Sequence, residues 1–124
     1  MSPKISIAEW EVMNVVWARN PITAPEVLAA LPAGNEWAQK TVNTFLTRLV
    51  EKGVLTAGKQ GKTNLYRPIL TREECVTSEG ASFLQRVFQG AAGDLVLHFC
   101  ERAKLTPDEI RDLEQLLRNK KGRK

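Results

Sequence analysis

The side chains best suited to molecular recognition lie on one face of the segment at residues 37–52. This face carries two cations, Lys40 and Arg48, and the hydroxyls of Thr44 and Thr47. Three further neutral hydrogen-bonding residues, Gln39, Thr41 and Asn43, flank it. Amide and hydroxyl groups can pair with base edges in the DNA major groove, whereas Lys and Arg bind phosphates or guanine. We therefore predict base readout by the five neutral side chains and phosphate contact by the two cations.

The opposite face of the same segment is apolar. Its residues follow helical spacing at i, i+3, i+4, i+7 and i+8, namely Val42, Phe45, Leu46, Leu49 and Val50. This spacing predicts an amphipathic helix over about residues 38–52, ended by Gly53 in a left-handed cap. Because three threonines lower the helix propensity of the polar face, we infer that this face meets a partner outside the chain.

Two interpretations of this helix remain open on the pattern alone. A polar surface helix in a protein-binding domain would carry similar residues, but it would give no salt-dependent affinity for DNA. Trp37, just before the helix, could either pack in the core or touch a DNA backbone.

Positive charge is concentrated in this helix and just after it. The chain of 124 residues has a formal net charge of +4, and six of its lysines and arginines lie within residues 37–67, against the single acid Glu51. Two of these cations, Lys59 and Lys62, flank a Gln60–Gly61 tip in a predicted β-hairpin. We expect both to contact DNA phosphates beside the groove that the helix reads.

Four helix starts carry the capping-box pattern, in which Glu follows Ser or Thr by three residues. They lie at Ser6–Glu9, Thr23–Glu26, Thr71–Glu74 and Thr106–Glu109. The first two predict helices at about 6–19 and 24–31, ahead of the helix at 38–52 and the hairpin. Three helices followed by a basic hairpin predict a winged helix-turn-helix domain at residues 1–70.

Residues 71–124 predict a second, all-α domain, with helices at about 72–89, 92–103 and 107–120. Each helix carries an apolar stripe, and so short a segment is too small to cover three stripes by itself. We therefore predict a homodimerisation domain whose contacts include Phe83, Val87, Leu95, Phe99, Ile110, Leu113 and Leu117. The expected fold class is mainly α, a winged helix followed by this dimerisation domain.

Other classes of function find little support in the sequence. His98 and Cys100 are two residues apart on a predicted helix, about 200° around its axis, so they do not form a nucleophile–base pair. One His and two partly buried, reduced Cys fall short of a structural zinc site, and we expect no enzyme, cofactor, metal or small-molecule substrate. A thiol-responsive regulator, in which oxidation of Cys100 loosens a dimer, remains an alternative. The absence of a signal peptide and of any long apolar run predicts a cytoplasmic protein without membrane insertion.

Three stretches resemble a known family: ISIAEWEVMNVVW at 5–17, WAQKTVNTFLTRLVEKG at 37–53 and LVLHFCERAKLTPDEIRDLEQLL at 95–117. They are similar to the penicillinase repressors of the BlaI/MecI type. The resemblance implies a dimeric winged-helix repressor on double-stranded, dyad-symmetric operator DNA, often with TACA-type half-sites. Lys40, Thr41 and Arg48 match the recognition-helix pattern of that family, whereas Gln39 and Asn43 depart from it.

The resemblance also implies a means of inactivation. In the β-lactam-responsive members, a membrane sensor triggers cleavage of the repressor at an Asn-Phe bond inside the dimerisation domain. The corresponding bond here is His98–Phe99, in which His replaces Asn. That makes His98 and Phe99 the candidate cleavage site and a membrane sensor protease the candidate partner. The chain lacks the C-terminal cysteine cluster of the copper-sensing members.

Overall fold

The computed structural model describes residues 3–122, which form six helices and one antiparallel two-stranded sheet. The elements are α1 (Ile7–Ala18), α2 (Ala24–Ala30), α3 (Gln39–Glu51), β1 (Leu55–Gln60), β2 (Thr63–Pro68), α4 (Arg72–Phe88), α5 (Ala92–Arg102) and α6 (Pro107–Lys121). Every predicted helix is present, with its ends within one residue of the predicted ones. The mainly α fold class with a single hairpin is therefore confirmed.

Capping boxes fix the starts of four helices. The hydroxyls of Ser6, Thr23 and Thr106 each accept from the backbone N–H three residues on, and the paired Glu accepts from the cap amide. Thr71 and Glu74 make the same reciprocal pair, at 3.0 Å in both directions. Because these bonds stabilise its ionised form, the pKa of Glu74 lies below the usual range.

The chain forms two compact units, of which one ends at Gly80 and the other begins at Ala81. The first has a continuous apolar core drawn from all of its elements, namely Ile5, Val12, Met13, Val16, Ile22, Val27, Leu31, Val42, Leu46, Leu49, Val54, Leu55, Tyr66 and Cys75. This unit extends past the predicted boundary at residue 70 because Cys75, near the start of α4, is buried in its core.

The hairpin pairs β1 with β2 in a register that runs from Leu55 opposite Pro68 to Gln60 opposite Thr63. Its tip is the two-residue loop Gly61–Lys62, one residue later than predicted. Gly61 has a φ of 64°, as a type II′ turn requires of its first loop residue. Lys62 therefore lies at the tip itself.

A backbone bridge ties the hairpin to the segment before α2. The N–H of Tyr66 donates to the carbonyl of Ile22 at 2.8 Å, and the N–H of Ile22 donates to the carbonyl of Tyr66 at 3.1 Å. Both side chains are buried in the core. The base of the wing is thus held against the helices.

The second unit leaves its apolar side chains unburied. No residue between 81 and 122 is buried within the chain. Among the predicted dimerisation residues, Phe83, Leu95 and Leu113 are partly buried, and about half of each of the others is exposed: Val87 47%, Phe99 48%, Ile110 44% and Leu117 54%.

The two cysteines differ, which corrects the expectation of two partly buried thiols. Cys75 is buried in the core of the first unit, whereas Cys100 is exposed on α5. Burial and the nearby charge of Glu74 raise the pKa of the Cys75 thiol. Cys100 is exposed because no other part of residues 81–122 covers its side of α5.

Among the helices of the described residues, none combines the length and the apolar character that a membrane span needs.

Candidate nucleic-acid interface

The outer face of α3 presents most of the predicted recognition residues together. The inner face places Val42, Leu46 and Leu49 in the core with no exposed surface. The outer face forms one shallow depression, lined by Lys40, Asn43, Thr44, Thr47, Arg48 and Glu51. Because packing uses only the inner face, these polar side chains are available to a partner.

Gln39 and Thr41 lie beside this depression and are partly buried. The Nε2 of Gln39 donates to the Oδ1 of Asn43 at 3.1 Å. That bond leaves the Asn43 amide N–H groups as donors and the Oε1 of Gln39 as an acceptor, side by side. Gln39 therefore joins the site through Asn43, whereas Thr41 lies at its edge.

Aromatic rings support Arg48 from the side of the core. Its guanidinium carbon lies 6.0 Å from the centroid of the Phe45 ring, which is within the range of a cation–π contact. The Phe45 ring lies 5.1 Å from the Trp37 ring, and both residues pack against the core. This packing favours the core interpretation of Trp37 and gives it an indirect role in positioning Arg48.

The N-terminus of α3 differs from the capped helix starts. Its cap residue is Ala38, which supplies no side-chain hydrogen bond. The first amides of the helix are therefore left to an outside acceptor, and the helix dipole favours an anion there. Glu51 lies at the opposite end, so the only acid on the outer face is far from that position.

The end of α3 is tied to α1 by a contact that sequence reasoning missed. The Nζ of Lys52 lies 2.5 Å from the Oε1 of Glu9 and 2.8 Å from the carbonyl oxygen of Lys4. Burial alone would raise the pKa of Glu9, but hydrogen bonds from Lys52 and Ser6 and the Lys52 charge hold that pKa below its usual range. The capping box revealed only the local role of Glu9, because its partner is 43 residues away.

A second depression lies between α3, the start of α2 and the wing. Its lining residues are Ala24, Pro25, Asn43, Thr47, Thr63, Asn64 and Tyr66. Lys59, directly opposite Asn64 in the sheet, and Lys62 at the tip are both exposed. Sequence reasoning missed Thr63 and Asn64, although the two-residue alternation from the buried Tyr66 places Asn64 on the side of the helices.

Within residues 3–122, no group of three or more His, Cys, Asp or Glu side chains is placed to hold a metal ion. Apart from Glu51, the polar groups that line the α3 depression are amides, hydroxyls and cations, which bind other molecules through hydrogen bonds and charge.

Comparison with known proteins identifies the family. The family model described as penicillinase repressor matches residues 5–119. The chain belongs to the penicillinase repressor family. It is 38% identical to the penicillinase repressor of Bacillus licheniformis over 122 aligned residues. The aligned region covers 98% of this chain and 95% of that protein. It is 32% identical over 117 residues to the methicillin resistance regulatory protein MecI of Staphylococcus aureus, covering 94% and 95%.

Two solved structures of the repressor BlaI match about 60% of this family member. The DNA-binding domain of the repressor BlaI is 38% identical, with a TM-score of 0.53, over 60% of this chain and 93% of that one. Monomeric BlaI from Bacillus licheniformis in complex with the blaP half-operator is also 38% identical, with a TM-score of 0.51, over 60% and 90%. These matches confirm the predicted family and the winged-helix fold. Both the family and the fold are those of DNA-binding transcriptional repressors and not of enzymes.

Proposed function

We propose that this penicillinase repressor homologue represses transcription as a homodimer bound to dyad-symmetric operator DNA. The outer face of α3 carries this proposal, because it presents neutral hydrogen-bonding groups and two cations while the inner face forms the core. The complex of BlaI with the blaP half-operator supports DNA as the partner. The protein would act in the cytoplasm on double-stranded DNA, without a cofactor or small-molecule substrate.

In this proposal α3 lies in the major groove and reads base edges. An Asn or Gln amide can pair with adenine, and a Thr methyl can pack on thymine. The proposed reading residues are Gln39, Thr41, Asn43, Thr44 and Thr47. The four proposed phosphate contacts are Lys40 and Arg48 on α3, and Lys59 and Lys62 on the wing.

The C-terminal helices would join two copies. A second copy would cover the half-exposed Val87, Phe99, Ile110 and Leu117, which removes apolar area from water. We assign DNA binding to residues 1–70 and dimerisation to 71–124. Two-fold symmetry would then place two copies of α3 in successive major grooves, about 34 Å apart.

Proteolysis in α5 would release the operator by separating the two copies. The candidate bond, His98–Phe99, lies on an exposed helix, and the His98 ring packs edge-on against Phe88 and Phe99, at 5.9 and 5.2 Å. We propose cleavage there by a membrane sensor protease under a β-lactam signal. Intact-mass analysis of the protein from β-lactam-treated cells tests this, with His98→Asn as a matched variant. Uncleaved protein from cells whose sensor is active would argue against it.

Fluorescence anisotropy tests the central proposal, with purified protein and DNA from upstream of its own gene. Four cations per protomer would release about eight counterions per dimer. A plot of the logarithm of the affinity against the logarithm of the salt concentration should therefore have a slope of about −7. Lys40→Ala should make the slope shallower, whereas Lys104→Ala, outside the interface, should leave it unchanged. The absence of binding at low salt, both to that DNA and to duplexes selected from random sequence, would favour the protein-interaction alternative.

A further inference from the structure

The depression between α3 and the wing has an uncharged lining. Its lining residues include Asn43, Thr47 and Asn64, which carry amide and hydroxyl groups, and Ala24 and Pro25, which form an apolar wall. No Lys, Arg, Asp or Glu is among its lining residues. Such a surface can donate hydrogen bonds to a row of acceptor groups on an extended ligand, and these bonds involve no charged side chain.

Asn64 is held in this depression by the sheet. Side chains of a strand alternate between its faces, so Asn64 lies on the same face as Tyr66. Tyr66 is 8% exposed, and its backbone is bonded in both directions to Ile22. Because Tyr66 is only two residues from Asn64, this bonding also fixes the position of Asn64 relative to α2 and α3.

The Asn64 side chain is available to a ligand. It is exposed, and it makes no side-chain hydrogen bond within residues 3–122. Across the depression, the Oδ1 of Asn43 already accepts from Gln39, so Asn43 offers mainly its N–H groups. The two walls thus present amide donors toward the same space.

We propose that one DNA strand runs through this depression and that the Asn64 amide donates a hydrogen bond to one of its phosphates. This inference rests on the proposed DNA-binding function and adds a contact on β2. Side-chain amides and hydroxyls supply many of the phosphate contacts in protein–DNA complexes. Lys59 is the direct cross-strand neighbour of Asn64, so a charged and a neutral contact would hold the same stretch of backbone.

The neutral contact differs from the charged one in its response to salt. A cation that neutralises a phosphate releases counterions, so its removal makes the salt dependence of binding shallower. An amide releases none. Loss of Asn64 should therefore weaken binding without changing the salt slope, and a phosphate contact should weaken all sequences alike.

The test compares Asn64→Ala, Lys59→Ala and the wild type by anisotropy between about 50 and 200 mM salt. The probes are an operator duplex selected by the wild-type protein from random DNA and a set of single base-pair variants of it. Asn64→Ala should bind about 2- to 10-fold more weakly, the range for one hydrogen bond, with the wild-type slope and preference. Lys59→Ala removes one cation from each protomer of the dimer, so it should make the slope shallower by about two units. Asn64→Asp should bind more weakly than Asn64→Ala, because it places a negative charge beside a phosphate.

Thr56→Ala is the matched control, because Thr56 is an exposed polar residue of the same hairpin on its other face, opposite Arg67. It should bind like the wild type, and thermal unfolding of each variant should show that the fold is retained. Unchanged affinity in a folded Asn64→Ala would overturn this inference and leave the proposed function intact. A change of preference at one base pair, or a shallower slope, would also overturn it. Failure of the wild type to bind any DNA would overturn the proposed function itself.

Discussion

Replacing Lys52 with methionine should destabilise the winged-helix unit. The Nζ of Lys52 lies 2.5 Å from the Oε1 of Glu9, whose side chain is only 2% exposed. Methionine keeps an apolar stem but removes the ammonium group. The Glu9 carboxylate would then stay buried with Ser6 as its remaining hydrogen-bond partner, at 2.8 Å from the Ser6 amide.

The expected size of this effect follows from the exposure of the two partners. Removing one partner of a fully buried ion pair costs about 3–5 kcal/mol. The Lys52 side chain is 34% exposed, so water already screens this pair and could reach Glu9 in the variant. We therefore expect a loss of about 2 kcal/mol, which lowers the unfolding temperature of a unit of this size by about 8–16 °C.

The loss should depend on pH. In the wild type the pKa of Glu9 is lowered, so its contribution to stability is present above the unfolded pKa and is lost as pH falls through the folded pKa. In Lys52→Met, burial is no longer balanced by the ammonium group and should raise that pKa. The difference in unfolding free energy between the two proteins should be largest near neutral pH. It should shrink as pH falls through the raised pKa of Glu9 in the variant and then through the lowered pKa of Glu9 in the wild type.

Urea unfolding followed by tryptophan fluorescence measures this difference, because Trp10, Trp17 and Trp37 all lie in the first unit. Lys4→Met, at a neighbouring exposed lysine, should have little effect. The double variant Glu9→Gln with Lys52→Met should recover part of the stability, because no charge is then left buried. Equal destabilisation of Lys52→Met at neutral and at acid pH, without recovery in the double variant, would refute this electrostatic reasoning.

Three further predictions concern the surfaces of the molecule. Asn43→Ala should relax sequence preference by about 1–3 kcal/mol per base pair read, whereas Lys62→Ala should weaken all duplexes about equally, as competition binding would show. Leu113→Asp should leave the protein monomeric at concentrations where the wild type is dimeric in sedimentation equilibrium, and a variant that still dimerises would place the interface elsewhere. In that monomer, mild peroxide should modify Cys100 before Cys75, because Cys75 is buried and its thiol pKa is raised. Peptide mass mapping that found Cys75 modified first would contradict this difference in exposure.

Features that depend on neighbouring residues could be predicted from the sequence. Thr71 and Glu74 bond within one helical turn, so their types and spacing are enough to mark the start of α4. The two faces of α3 follow from helical period alone, because Val42 and Leu46 must share one side and Thr44 must lie on another.

Features that depend on distant parts of the chain could not be predicted. The Glu9–Lys52 pair requires α1 and the end of α3 to meet, which no local pattern encodes. The place of Asn64 beside α3 depends on the bridge between Tyr66 and Ile22. The exposure of Cys100 depends on which surfaces residues 81–122 leave uncovered, and an apolar stripe alone does not say what covers it.

The uncapped, outward-facing helix α3 has an evolutionary consequence. Its attachment to the protein depends on Val42, Leu46 and Leu49, while Asn43, Thr44 and Thr47 add nothing to the core. Exposed positions of this kind tolerate substitution within about 0.5 kcal/mol of stability. Under the proposed function, operator preference could therefore change between relatives through substitutions on one helical face, without compensating changes in the core.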